Sequence, residues 1–243
     1  MAVSLNIFLA GASGVIGRRL VPLLVAAGHD VIGTTRSPAK ASTIAAQGAA
    51  PVLVDVFDAD ALRRVVLAAK PQLVMHQLTD LPSGPGTPDY EAGLERNARL
   101  RIDGTRNLVA AAKAAGVTRL IAQSIAFVYA PGDGLRVESD PLDLAATGAR
   151  RRTVEGVVAL EKATLAMPEG IVLRYGLLYG PDTWFERDKR GAPGLHVDAA
   201  AQAALLALTK AKPGIYNVAE DDGAVSSEKA KRDFGFDAGF RIT

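Results

Sequence analysis

An α/β fold built on a doubly wound parallel sheet is predicted for this chain of 243 residues by three features. Short apolar runs alternate with segments of helical spacing, so successive strands lie parallel through right-handed crossovers. The first run, Asn6–Ala10, ends in a glycine-rich turn, GASGVIG, that opens directly into an apolar helix. Apolar residues make up 49% of the chain, enough to cover both faces of a sheet.

The elements follow in order. Asn6–Ala10 reads as a buried strand and Gly17–Ala27 as the first helix. His29–Thr35 is the next strand. SPAKASTIAAQG follows as a helix, with Ser37 in the N-cap place and Pro38 at the first helical position, where its missing N–H costs nothing. The pattern repeats as APVLVDV then DADALRRVVLAAK, and as PQLVMHQL then one long segment from Tyr90 to Ala115. TRLIAQS, a helix around Arg152 to Met167, and GIVLRYG complete the alternation. The breaks DLPSGPGTPD, APGDG and GPDTWFERDKRGAPG read as loops; the first and third either line a cleft or are plain surface connections. The expected division is a dinucleotide-binding domain over 1–175 and a small, shortened C-terminal substrate region over 176–243, interleaved with the core or merged with it into one compact domain.

The glycine turn carries the first chemical expectation. Gly11, Gly14 and Gly17 stand at GxxGxxG spacing between strand and helix, with Ser13, Val15 and Ile16 among them and Arg18 just beyond. Glycine permits a tight turn and a close backbone approach to a pyrophosphate, and the helix start offers that anion its N–H groups and dipole. The architecture is therefore expected to be of Rossmann type. The end of the second strand bears on the cofactor. Thr34 and Thr35 stand where a carboxylate would read the ribose 2′-hydroxyl of NAD, and Arg36 follows. A guanidinium suits a 2′-phosphate, with Arg18 able to assist, so NADP is expected, with NAD as the alternative. A merely solvated Arg36 is the other reading.

Composition excludes several classes. The net charge of +2 gives no nucleic-acid signal. Without cysteine there is no disulfide, thiolate zinc site or cysteine nucleophile. His196 and Asp198 form an H-x-D, but no clustered third ligand accompanies them, so no metal is expected. The start of the chain reads as a strand rather than a signal peptide, and no apolar run is long enough for a bilayer. A cytoplasmic protein with a small-molecule substrate, and neither nucleic-acid nor membrane partners, is the expectation.

Taken together, these motifs resemble the short-chain dehydrogenase/reductase superfamily, in its NAD(P)-dependent epimerase/dehydratase branch, over almost the whole chain. GASGVIG is similar to that family's phosphate turn. VDVFD looks like the adenine-side strand end, which implies Asp55 and Val56 beside the adenine. HQLTD looks like the strand end along the cofactor, implying Gln77, Leu78 and Thr79. NARLRIDGTRNLVAAAKAAGV matches the long helix through Asn97, Gly104, Thr105 and Asn107; AQSIAFVYAP, VLRYGLLYGP, LHVDAAAQAALLAL and GIYNVAEDD match later segments. Dimerisation through the two long core helices is common in relatives.

The resemblance also implies what is missing. Relatives use a Tyr-xxx-Lys pair to exchange a proton with substrate, because a neighbouring cation favours the phenolate. Here Thr153 and Val157 occupy those positions, and neither can do that work. Lys162, nine residues beyond Thr153, falls on roughly the opposite face of the helix. Ile125 stands where many relatives carry a hydroxyl, with Ser124 one residue earlier. Ser124 and Tyr129 are the candidate proton donors, against the alternatives of a strand-end hydroxyl and a packing tyrosine. Tyr175 is implied near the nicotinamide. His76 reads as a hydrogen-bonded core residue or a base, and Arg150, Arg151 and Arg152 as a solvated helix start or an anion contact. The leading expectation is an NAD(P)-dependent oxidoreductase acting on a small carbonyl, hydroxyl or sugar-like substrate. The alternatives are a dinucleotide-binding sensor without turnover and a nucleotide-sugar epimerase/dehydratase.

Overall fold

The computed structural model describes residues 4–242. Its strands are β1 (Asn6–Ala10), β2 (Asp30–Thr35), β3 (Ala50–Leu53), β4 (Leu73–His76), β5 (Arg119–Ile125), β6 (Glu169–Tyr175), β7 (Leu177–Tyr179), β8 (Gly194–His196) and β9 (Gly214–Val218). Seven of them form one parallel sheet in the order β3-β2-β1-β4-β5-β6-β9. The chain starts in the middle of the sheet, runs outward to β3 and returns to the other side of β1, so the strand order reverses between β1 and β4. Ligands of open α/β sheets bind outside the carboxyl ends of strands at such a reversal. The expected doubly wound α/β class is what the structure has.

The helices are α1 (Gly17–Ala26), α2 (Pro38–Ala46), α3 (Ala59–Ala69), α4 (Tyr90–Arg99), α5 (Thr105–Ala114), α6 (Gly148–Leu165), α7 (Val197–Lys210) and α8 (Glu228–Phe234). Alternate strand residues face opposite layers. Ile7, Leu9, Met75, Ile121 and Leu173 pack with α1 and the alanine-rich α7. Phe8, Ala10, Val74, Leu120 and Ala122 pack with Leu62 of α3, Leu108 of α5 and Leu160 of α6. Both faces being covered is why the strands read as nearly continuous apolar runs.

Several boundaries differ from the sequence reading. The segment read as one helix from Tyr90 to Ala115 is interrupted by a π-helical turn, Leu100–Gly104. β3 and β4 stop at Leu53 and His76, leaving Val54–Val56 and Gln77–Thr79 as loops at the sheet's carboxyl edge. α6 starts at Gly148 rather than near Arg152. The parallel pair β7 and β8, and α8, were not anticipated. Ser37 holds the N-cap place, but its hydroxyl makes no capping bond; its backbone carbonyl takes the Lys40 amide instead, at 3.0 Å. Asp58, by contrast, caps α3 by accepting from the Ala61 N–H at 2.9 Å.

Pro22 lies inside α1 and cannot donate to the Arg18 carbonyl. The Gln47 side chain repairs the loss from the end of α2, its Nε2 donating to that carbonyl at 2.8 Å. Gln47→Ala should therefore cost about 1 kcal/mol in urea unfolding. In a Pro22→Ala background, where the backbone N–H returns, the same change should cost much less. An equal cost in both backgrounds would show that Gln47 does not serve this carbonyl.

Candidate functional site

The site begins where β1 gives way to α1. Gly11 takes a φ of 97° and lies against the end of β4; a Cβ there would sit 2.6 Å from the carbonyl carbon and oxygen of Gln77. A Cβ on Gly17 would come within 2.1 Å of the Gly11 carbonyl oxygen, so the helix start could not fold back on the turn with any other residue. Gly14 differs. Its Cβ would meet only that same oxygen, at 3.3 Å, and otherwise open space. The first turn of α1 has no acidic residue to compete for its positive end.

A cleft of about 350 Å³ opens over this turn. Of the residues singled out in the sequence, Gly11, Ser13, Gly14, Thr35, Arg36, Val56, Gln77, Leu78 and Thr79 line it. Thr34, Ser37, Lys40, Val54, Leu62 and Leu100 line it too. Lys40 was the important omission: one turn into α2, it adds a second cation beside Arg36. Its spacing from Ser37 in SPAK was the available signal. Val15, Ile16 and Gly17 continue the turn into α1 behind the lining residues.

Three expected residues face elsewhere. Arg18 does not line the cleft; its guanidinium is drawn to Asp182 on the loop after β7, at 3.4 Å. Asp55 is exposed and closes a local turn by accepting the Phe57 N–H at 3.0 Å, leaving Val56 as the lining residue of that pair. Tyr175 is buried on the α1 face, its hydroxyl beside the Gln77 amide but without a hydrogen bond among the described residues. Burial holds that phenol well above the usual tyrosine range, so it stays neutral.

These residues fit a dinucleotide. The bare Gly14 edge leaves room for a diphosphate at the helix start. Gln77, only 4% exposed, lines the cleft with both amide atoms unpartnered among the described residues, and a polar ligand would satisfy them.

Ser124 and Tyr129 are brought together, but in a buried network rather than on the cleft wall. Ser124 Oγ donates to Glu161 Oε1 at 2.8 Å. Arg174 grips the same carboxylate with two bonds, at 2.8 and 2.7 Å, and donates to Tyr129 Oη at 2.8 Å. Tyr129 in turn donates to Asn217 Oδ1 at 2.6 Å. Burial raises the Tyr129 pKa, with Arg174 opposing it. Sequence reasoning missed Glu161, Arg174 and Asn217 as a set; an arginine inside the apolar run IVLRY was the visible clue, because a buried guanidinium needs a partner.

The remaining candidates have structural places. Val157 is fully buried, Thr153 is half-buried and Lys162 is exposed. His196 caps α7 by accepting the Asp198 N–H, and Asp198 pairs with Arg19 at 2.9 Å. Arg150 pairs with Asp143, Arg151 with Glu155 and Arg152 with Glu95. His76 is fully buried; its Nδ1 accepts from Leu78 N at 3.2 Å and its Nε2 bonds Thr105 Oγ1 at 2.9 Å. Burial first, and the nearby Arg101 second, push its pKa down to about 4, so it is a neutral core residue at pH 7.

A family model described as NAD(P)H-binding matches residues 11–156. The chain belongs to that NAD(P)H-binding family. The 3-diazoavenalumate denitrifying reductase of a Streptomyces species is 37% identical over 245 residues, covering 92% of this chain and 79% of the relative. Among solved structures, a reductase superposes with a TM-score of 0.80 at 14% identity, covering 99% of this chain and 96% of the other. The UDP-glucose 4-epimerase of Bifidobacterium longum, solved with NAD+ and UDP, superposes with a TM-score of 0.76 at 17% identity, covering 97% and 94%. Both structural likenesses concern the fold. The dinucleotide binding expected from the glycine turn thus belongs to the family, and the cofactor is a nicotinamide dinucleotide. No helix among the described residues is long and apolar enough to cross a membrane.

His76 gives the family fold here a pH signature. Its folded pKa lies below the unfolded value of 6.5, so the stability it carries is complete above pH 6.5 and is lost as pH falls toward about 4. Urea unfolding should lose about 3 kcal/mol from this source across that window. His76→Gln should remove that part of the pH slope; an unchanged slope would assign it to other groups.

Proposed function

We propose that the chain is an NAD(P)H-dependent oxidoreductase, preferring NADP(H) to NAD(H), that acts on a small-molecule substrate in the β1–β4 cleft. The preference rests on the end of β2. Arg36 and Lys40 both line the cleft, while Thr34 and Thr35 take the place of a carboxylate that would read a free ribose hydroxyl and repel a 2′-phosphate. Gly11, Ser13, Gly14, Val15, Ile16 and Gly17 hold the diphosphate, Val56 the adenine side, and Gln77, Leu78 and Thr79 the nicotinamide side. When bound, the nicotinamide supplies or accepts hydride. The buried, neutral Tyr175 and the Gln77 amide set the polarity beneath it.

Proton supply falls to Ser124 or Tyr129. Arg174, bonded to the Tyr129 oxygen, offers the positive charge that a lysine offers in relatives. The name of the Streptomyces relative supports reduction as the direction, and makes a diazo-bearing substrate the first to try. Thr153 and Val157 favour a second reading, a dinucleotide-binding sensor without turnover.

Calorimetric titration should find that Arg36→Ala and Lys40→Ala each weaken NADPH binding about tenfold while barely changing NADH binding, as the loss of one charge-assisted contact predicts. Equal losses for both cofactors would reject the 2′-phosphate role. Sustained NADPH oxidation with a diazo-bearing substrate supports the enzyme. Tight binding without turnover across diazo and carbonyl substrates supports the sensor.

A further inference from the structure

The helix α4, its π turn and α5 carry four arginines, and one behaves unlike the rest. Arg96, Arg99 and Arg106 are 46%, 68% and 68% exposed and pair with Asp80, Asp103 and Asp103 respectively. Arg101, in the π turn, is only 6% exposed, yet it makes no ion pair or hydrogen bond among the described residues. π-helical turns often mark functional positions because they reset which side chains face inward.

Arg101 does not itself line the cleft. Its Cβ packs over Gly156 of α6, at 3.4 Å from where a Cβ on that glycine would stand. Gly156 is next to Val157, the place of the absent lysine. The guanidinium is in electrostatic reach of His76 at the end of β4 and of Glu161 beside β5. The neighbouring residue Leu100 lines the cleft.

The local charges do not balance. Glu161 is taken by Arg174 through two bonds and by Ser124 through a third. His76 is neutral at pH 7. Two guanidiniums therefore share one carboxylate in a buried setting, and Arg101 is the one left over. Burial lowers its pKa to about 10, so it keeps its charge at neutral pH. None of its nitrogens is among the fully enclosed atoms that lack a partner, so the tip of the guanidinium still reaches solvent. A cation this confined with no ion pair is stabilised when an anion completes it.

We infer that Arg101 is the recognition point for the carboxylate of an anionic substrate, bound beside the ends of β4 and β5 where its electrophilic end can face the nicotinamide. This rests on the nicotinamide-dependent reading above and narrows it to monocarboxylate substrates. A guanidinium matches a carboxylate's two oxygens with parallel N–H donors, which a lysine in its place could not do. The diphosphate of the cofactor is held separately, at the Gly11–Gly17 turn.

The test uses the NADPH-saturated full chain, titrated with acetate, benzoate and cinnamate beside their primary amides. At least one acid should bind about tenfold or more tightly than its amide, the difference one charge-assisted bidentate contact makes. Arg101→Met should abolish that discrimination, Arg101→Lys should keep part of it, and NADPH affinity should stay within about twofold in both. Acids and amides binding alike to the wild-type chain, no binding of any acid, or discrimination that survives Arg101→Met would each overturn the assignment. Because the acid-amide comparison is made on the wild-type chain, an unstable variant does not protect the proposal. Failure of the wild-type chain to bind NADPH would instead strike the cofactor reading itself.

Discussion

The contact between the Gly11 backbone and the end of β4 is the constraint on which the rest of the site depends. It brings the β1–α1 turn against Gln77 at the point where the strand order reverses, and only a residue without a side chain can make it. Gly17 closes the same turn from the helix side. With these two approaches fixed, the start of α1, the loops after β3 and β4, and the cations of Arg36 and Lys40 converge on one cleft.

Beneath that cleft the chain differs chemically from the tyrosine-lysine arrangement its motifs bring to mind. Thr153 and Val157 carry no acid and no cation, and Val157 has joined an apolar cluster with Val128 and Val154. Charge has moved instead to Arg101 on the π turn and Arg174 on β6. Arg174 is paired with Glu161; the carboxylate fixes Ser124 and the guanidinium fixes Tyr129. A site organised this way orders its hydroxyls through a buried salt bridge, which leaves them little freedom but holds them in defined positions.

The fold and the phosphate turn were legible in the sequence because both rest on local rules. Apolar runs, helical spacing and three glycines are visible without knowing what touches what. The buried network was not, since Ser124, Glu161, Arg174 and Asn217 come from β5, α6, β6 and β9 and meet only after the sheet has formed. Nothing in the sequence sets Arg101 apart from Arg96, Arg99 and Arg106; its burial depends on the π turn and on the bare surface at Gly156. Asp55 and Arg18 stood in the right places along the chain, yet local geometry and a neighbouring carboxylate turned them from the cleft. Three-residue strands such as β7 and β8 are too short to show any periodicity.

The most direct measurement is NADPH titration of Gly14→Ala beside the wild-type chain. Gly14 lines the cleft, and its added methyl would touch one carbonyl oxygen at 3.3 Å and otherwise project into open space, so the fold should survive with its melting temperature nearly unchanged. Tight binding by the wild-type chain and a loss of about tenfold or more in the variant are expected, the methyl taking room needed by the diphosphate. Undiminished binding by a folded Gly14→Ala chain would contradict a diphosphate seated on this turn.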